Sequence, residues 1–314
     1  MPPLERWRPE PRAGVSAQRV VLRRIVPDDG VEYLAAAAGD SPFAPGTHLP
    51  PGMPLAGPTP AWFHPILGPE PPALLAAPTP IIASDEHIIV MNKPHGLPST
   101  PNGGLVRATA QTLLRQRTGE PDLVAAHRLD RATGGLLVFA RRPSSRGLIQ
   151  TQFQRREVRK VYRAWAPDIE GIGVDATGAA PVRFDLRMQK VKADPQVKVL
   201  GSALPSQATH GGDGCAPARS VLTSTLLSKL EVAEGGLAQY ELQPLTGFTH
   251  QLRALMNHLG APIVGDDTYP VYQPRYRHGS TSSPGVVLPD ELPGSPAHLH
   301  LCLLYTSDAA DDSL

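Results

Sequence analysis

The stretch Val124–Ala140, VAAHRLDRATGGLLVFA, sets one acidic residue, Asp130, between Arg128 and Arg131 and then runs into apolar residues. Gly135–Ala140, GLLVFA, has the length and the branched and aromatic content of a buried strand. Asp130 therefore stands in a basic loop at the mouth of a strand. Neighbouring guanidinium groups favour the ionised carboxylate, and such a group can attack as a nucleophile or stabilise a developing cation. A lone Asp in that position can equally bond the backbone of the turn. The loop holds no second acid, so glycoside chemistry on paired carboxylates would need a partner from elsewhere in the chain.

Working outward, IIASDEHIIVMNKP (81–94) offers two β-rich pieces around a turn, the second over Ile88–Asn92 and ended by Pro94. TAQTLLRQRTG (109–119) reads as a short helix closed by Gly119, and PSSRGLIQTQFQRRE (143–157) as a helix with Pro143 near its start. RKVYRAWA (159–166) alternates like a strand. Residues 167–217 are polar and Gly-rich and read as insertion or loop, with VRFDLRM (182–188) as a candidate strand. In TGFTHQLRALMNHLGAPIVGD (246–266), Thr249 is the expected N-cap, and Gly260 and Pro262 stop the helix. Leu252, Leu255, Met256 and Leu259 form its packing stripe, with His250, Arg253 and Asn257 on the stripe beside it. Strands and helices mixed without regular βαβ alternation predict an α+β fold.

Composition narrows the classes. The 314 residues carry a formal charge of +1, so attraction to an anionic partner must come from clustering. Between His127 and Ala164 there are ten basic residues against two acids, Asp130 and Glu157. A solvated helix face mixes signs; this segment does not, and it reads equally as a surface that happens to be basic or as a phosphate-contacting face. Two cysteines, Cys215 and Cys302, are too few for a disulfide framework or a Cys-rich metal site, and no His/Glu metal motif is present. The N-terminus lacks a signal-peptide core, and PPALLAAPTPIIA (71–83) is too short and Pro-broken to span a bilayer. A cytoplasmic monomer with no membrane association is expected.

Half of the 36 prolines fall in the first 80 residues, which argues against long helices and central strands there. We therefore expect a Pro-rich arm or small degenerate domain over 1–80 and a separate folded domain over 81–301. The final CLLYTSDAADDSL (302–314) resembles the translation of a transposon-based sequencing adapter, so 302–314 is expected to be a non-native tail.

With these pieces in place, HRLDRATGGLLVF resembles the H-R-L-D-x-x-T-S/A-G-L-L-V/L-F motif of the RluA-type RNA pseudouridine synthases. MNKPHGLPS (91–99) resembles that family's N-K-P-x-G-L-P-V loop, RKVYRAW (159–165) its K-x-Y, and LTGFTHQLRALMNHLGAPIVGDDTY (245–269) its T-G-R-T-H-Q-I-R and G-D-x-x-Y segments. The four occur in family order between about Ile81 and Leu301. The resemblance implies a pseudouridine synthase fold, a mixed and largely antiparallel sheet flanked by helices and loops, with the catalytic cleft across the sheet. It also implies isomerisation of uridines in structured rRNA or tRNA without metal or cofactor. On it, Asp130 is the attacking carboxylate. Arg128 fills the gap left by a flipped nucleotide. Tyr162 stacks on the uracil and is a candidate acceptor of the C5 proton. Leu252 is part of the apolar floor, and Arg253 pairs with Asp130. Arg131, Lys160, His250 and Lys93 complete the expected RNA-contacting set, with the Lys93 loop also supporting the site.

Three departures stand out. Phe248 replaces the family's Arg, Gly134 replaces Ser or Ala, and the closing L-x-L-H-A-x-x-L-x-F segment runs into the suspect tail. The N-terminal region offers no S4-like domain, although GVSAQRVVL (14–22) resembles the opening of a subgroup. Two alternatives stand beside the synthase: an RNA-binding or remodelling protein that has lost turnover, and a glycoside-type hydrolase with a second carboxyl group near Asp130.

Overall fold

The computed structural model describes residues 7–36, 41–102, 104–175, 180–202, 220–233, 235–270 and 299–306. Chain contacts divide it into two compact units, Met1–Thr79 with Pro98–Val124 and Pro80–Leu97 with Ala125–Leu314. The segment 98–124, expected with the catalytic block, thus clusters with the N-terminal residues.

In the first unit, β1 (Gln18–Leu22), β2 (Tyr33–Ala35), β3 (His48–Leu49) and β4 (Thr59–Phe63) form a sheet of order β1-β4-β2-β3. One face buries Leu22, Tyr33, Ala35, Leu49 and Ala61 with Val26 and Leu55 from the loops. The proline content argues against a central strand here, yet β4 is central and contains Pro60. It is tolerated because pairing of β4 with β2 ends at Ala61, while the Pro60 carbonyl still accepts from Ala36 N at 2.9 Å. A short turn α1 (Pro72–Leu75) follows. α2 (Ala110–Thr118) starts where Thr109 accepts from Thr112 N and ends at Gly119, φ 70°, the left-handed cap that glycine adopts without penalty. Buried Glu70 accepts from the amides of Val106, Arg107 and Ala108 at 2.7–3.2 Å, tying the two segments of this unit together.

The second unit is built on one ten-stranded sheet. Its strands are β5 (Ile81–Ser84), β6 (Ile88–Lys93), β7 (Val124–Ala125), β8 (Gly134–Ala140), β9 (Val158–Pro167), β10 (Val182–Lys190), β11 (Val197–Ser202), β12 (Ser220–Ala233), β13 (Leu237–Pro244) and β14 (His300–Thr306). Their order is β11-β10-β12-β13-β9-β14-β8-β6-β5, with β7 on β8; along this path of described strands β14–β8 is parallel and the other pairings are antiparallel. Helices α3 (Pro143–Arg155) and α4 (Gln251–His258) pack on it. The architecture is the expected α+β, largely antiparallel one.

Three expectations need correction. In the polar span 167–217 the candidate strand VRFDLRM is present as β10, which buries Leu186 and Met188 on alternate positions, but the loop expectation fails at β11; residues 203–219 lie outside the described residues. The 14-residue β12 escaped the sequence reading altogether. The suspect tail contributes to structure as far as Thr306, since β14 pairs with β9 through Thr306↔Val158. Backbone pairing asks little of side-chain identity, so an apolar, β-prone run such as LCLLYT can hold that slot. Residues 307–314 are outside the described set.

Candidate active site

Asp130 lies in the loop between β7 and β8, in a turn closed by Thr133 N donating to the Asp130 carbonyl at 3.0 Å. A second loop braces this one. Gly96 N donates to the Arg131 carbonyl at 2.8 Å, and Lys93, fully buried at the end of β6, reaches the carbonyls of Leu97 (2.7 Å), Pro94 (3.1 Å) and Arg131 (3.5 Å). Burial pushes the Lys93 ammonium down to about 7, against the pull of Asp130. Lys93 is therefore a strut for the loop and has no surface to offer to RNA, which corrects its place in the RNA-contacting set.

The opposite wall is α4. Its N-cap is not Thr249 but His250, in the left-handed region at φ 52°, because Gln251 N closes a turn on the Phe248 carbonyl at 3.2 Å. Arg253, expected on a polar stripe, is 3 % exposed. It forks onto Asp266 (Nε–Oδ2 2.6 Å, Nη2–Oδ1 2.8 Å), donates from Nη1 to Asp130 Oδ2 at 3.2 Å, and donates from Nη2 to Asp267 Oδ1 and Thr268 Oγ1 at 3.1 and 2.7 Å. Burial opposes its charge, but the Asp266 bonds and the surrounding carboxylates raise its pKa above even the usual guanidinium value. The Asp130–Arg253 pair anticipated from the resemblance is present.

Asp266, Asp267, Thr268 and Tyr269 were missed as site residues, though GDDTY stood in the quoted motif; two adjacent acids just after a helix stop are the signal that could have found them. Asp266 also caps the amides of Thr268 and Tyr269 at 2.7 and 3.0 Å. Asp267 bonds Arg131 Nη2 at 2.8 Å, so Arg131 is engaged in the wall of the site. Burial works to raise the Asp267 pKa, but Arg131 and Arg253 outweigh it and hold the acid down.

Tyr162 lies on β9 opposite Leu301 of β14, and Leu252 on α4; both are buried. Burial first, then the Asp130 charge, raises the Tyr162 phenol well above its ordinary range. At neutral pH it is a phenol, which suits a stacking surface and makes it a poor acceptor of a carbon-bound proton. Arg128 is exposed, two residues before Asp130. Lys160 is partly buried, and burial and Arg156 lower its pKa. His127 accepts from Val138 N through Nε2 at 3.2 Å and stacks on Phe153, which pins the loop to β8. A cavity of about 430 Å³ bordered by Pro167, Ile263, Asp266 and Tyr269 adjoins the Asp266 end of the site and is not lined by Asp130. Among the described residues no helix is long and apolar enough to cross a membrane.

Comparison with known proteins agrees with this geometry. The family model for RNA pseudouridylate synthase matches residues 87–258. A dual-specificity RNA pseudouridine synthase RluA from Vibrio vulnificus is 35 % identical over 198 residues, covering 61 % of this chain and 69 % of that protein. The Escherichia coli protein of the same name is 30 % identical over 191 residues, 60 % of this chain and 76 % of its own. Among solved structures, human RNA pseudouridylate synthase domain containing 1 superposes with a TM-score of 0.50 at 25 % identity, covering 76 % of this chain and 82 % of its own. The chain belongs to the RNA pseudouridylate synthase family, and it is an enzyme of the isomerase class.

Proposed function

We propose that this protein isomerises uridines in structured ribosomal or transfer RNA, with Asp130 as the attacking carboxylate and the target nucleotide drawn out of its helix. The observation that carries the reading is the clamp on Asp130: Arg253, itself forked onto Asp266, holds the carboxylate at the mouth of β8. A base stacked in a helix is out of reach of such a group, and extruding it costs a few kcal/mol. Exposed Arg128 is placed in sequence to enter the gap, and stacking on the Tyr162 ring offsets about 1–3 kcal/mol of the cost. Leu252 supplies apolar floor. Asp130 adds to the nucleoside, the N-glycosidic bond breaks, the uracil turns, C5 bonds to the ribose carbon that N1 left and Asp130 is released; the proton lost from C5 is matched by one gained at N1. Atoms and oxidation states are conserved, so the balance requires no cofactor. The curated relatives are named dual-specificity enzymes, which supports testing both RNA classes.

The hydrolase alternative needs a protonated partner acid. Asp266 and Asp267 are the acids nearest through Arg253, and guanidinium groups occupy both. The deciding experiment incubates the protein with ribosomal and transfer RNA and scores pseudouridine, with Asp130→Asn as control. We expect turnover by the parent and none by the variant, with RNA binding nearly unchanged. A parent that binds RNA and forms no pseudouridine would establish the non-catalytic reading.

A further inference from the structure

Asp130 presents two unlike oxygens. Oδ2 takes Arg253 Nη1 at 3.2 Å and faces His250 Nε2 at 3.8 Å, whereas Oδ1 has no hydrogen bond among the described residues. His250 occupies this place at a cost. Its backbone is left-handed at φ 52°, a region unfavourable for a residue with a Cβ, and its Nδ1 is buried without a partner. The ring stands edge-on to Tyr269, 6.0 Å between centroids at 79°, and that phenol oxygen is fixed by Val197 N at 2.8 Å. Strain and an unmet buried nitrogen, at one residue beside the attacking group, mark a position held for function over stability.

The tautomer follows from the surroundings. A lone pair on Nε2 would face a carboxylate oxygen, and a proton on Nδ1 would be buried without an acceptor. Both penalties vanish when Nε2 carries the hydrogen. Burial works against a charge on the ring, opposed by Asp130 and Asp266 and aided by Arg253 and Lys190.

We infer that His250 is a positioning residue, whose Nε2–H, facing Asp130 Oδ2 at 3.8 Å and so acting through charge attraction beyond hydrogen-bond length, draws on that oxygen together with Arg253 Nη1 so that Oδ1 alone is presented to the nucleoside. The inference rests on the reading of Asp130 as the attacking group. It moves His250 from RNA contact to carboxylate alignment.

Three variants isolate the nitrogen. His250→Phe keeps a ring against Tyr269 without a donor, His250→Gln keeps a donor without a ring, and His250→Gly relieves the backbone without either. We expect kcat to fall roughly 10- to 100-fold in the Phe and Gly variants, with KM for RNA within about threefold of the parent. The Gln variant should keep most of the parent kcat, and the Gly variant should melt no lower than the parent. Parent-like turnover by His250→Phe, or a raised KM at unchanged kcat, would overturn the proposal. So would a Gln variant as slow as Phe. Nitrogen-15 spectra of the histidines provide a readout independent of turnover, with the His250 signals assigned by their loss in His250→Gln. They should show bare Nδ1 and protonated Nε2, with shifts that respond to Asp130→Asn. The opposite tautomer, or no response, would overturn the alignment role even in an active enzyme. An inactive parent with the expected spectra would instead fault the assigned reaction.

Discussion

Arg253 meets three carboxylates and a hydroxyl with one guanidinium, and the order of strength among those contacts decides how the site works. The fork onto Asp266 is the shortest and the most buried, with both side chains under 5 % exposed. The bond to Asp130 is single, longer and partly open. Asp266 thus fixes the cation and the cation aims Asp130. Removing one member of a buried pair leaves an uncompensated charge and costs about 3–5 kcal/mol. Asp266→Asn is expected to lose stability of that order in urea melts and to depress kcat more than RNA affinity; unchanged melting would show that Asp267 and Thr268 hold Arg253 unaided. A second residue, His127, gives a pH signature. Burial and then the Lys160 charge push its imidazole down to about 3, and its Nε2 must stay bare to accept from Val138 N. The unfolded chain then binds a proton between about 3 and the ordinary 6.5 that the folded one does not. Stability from this residue is full above about 6.5 and is lost as pH falls through that window, by up to about 1.4 kcal/mol per pH unit. His127→Gln can still accept the amide and does not titrate, so its melts at pH 4.5 should exceed the parent's relative to pH 7. An identical pH slope in both proteins would refute the assignment.

Gly134 and Gly135 open β8 and meet the first residues of β14 in a parallel pairing, His300↔Gly134 and Leu301↔Gly135. A Cβ on Gly135 would lie 2.3 Å from the Leu301 carbonyl oxygen, at a φ of 105° that side chains avoid. At Gly134, where the family has Ser or Ala, it would come 3.2 Å from the His300 ring and 3.4 Å from the Lys93 carbonyl, a milder crowding than at Gly135. Gly135→Ala should therefore cost more than about 3 kcal/mol, and Gly134→Ala should stay within about 1 kcal/mol of the parent; equal urea midpoints for the two would show that β14 does not press on β8. The contrast also shows what sequence can convey. Both glycines sit in a legible motif, but the strand that makes one of them obligatory lies at the far end of the chain. Local signals were readable: Gly119 closing α2, Pro143 opening α3, the strand-like run of β9. The start of α4 was misplaced by one residue because a strained turn, not a hydroxyl cap, begins it. β12 was missed because its mixture of Ser, Thr, Leu and Lys carries no clean period of two; its two neighbours in the sheet, β10 and β13, supply the order. In the site, the resemblance brought Asp130 and Arg253 together, while Asp266 and Asp267 needed three-dimensional contacts to be found.

At the scale of the whole molecule a formal charge of +1 would give RNA little reason to approach, were the charge spread evenly. It is concentrated in the segment from His127 to Ala164, and folding neutralises only part of it. Arg131 is committed to Asp267, Arg155 faces Glu157 at 3.8 Å and Arg163 faces Glu241 at 3.7 Å. Arg128, Arg142 and Arg156 are exposed and carry no ion pair among the described residues. They flank Asp130, the start of α3 and its left-handed C-cap, so the Asp130 loop and the helix that follows β8 both present guanidinium groups without an ion pair among the described residues. If these meet phosphates, each should contribute roughly 0.7–0.9 to the slope of log affinity against log salt. Substituting all three by Ala is expected to weaken binding at 50 mM salt far more than at 300 mM and to flatten the slope by about 2–3. Asp130→Asn in the same titration should leave the slope unchanged, since it adds no phosphate contact. A triple variant that binds more weakly by a constant factor at every salt concentration would mean that these arginines shape the fold and leave the phosphates to another face of the protein.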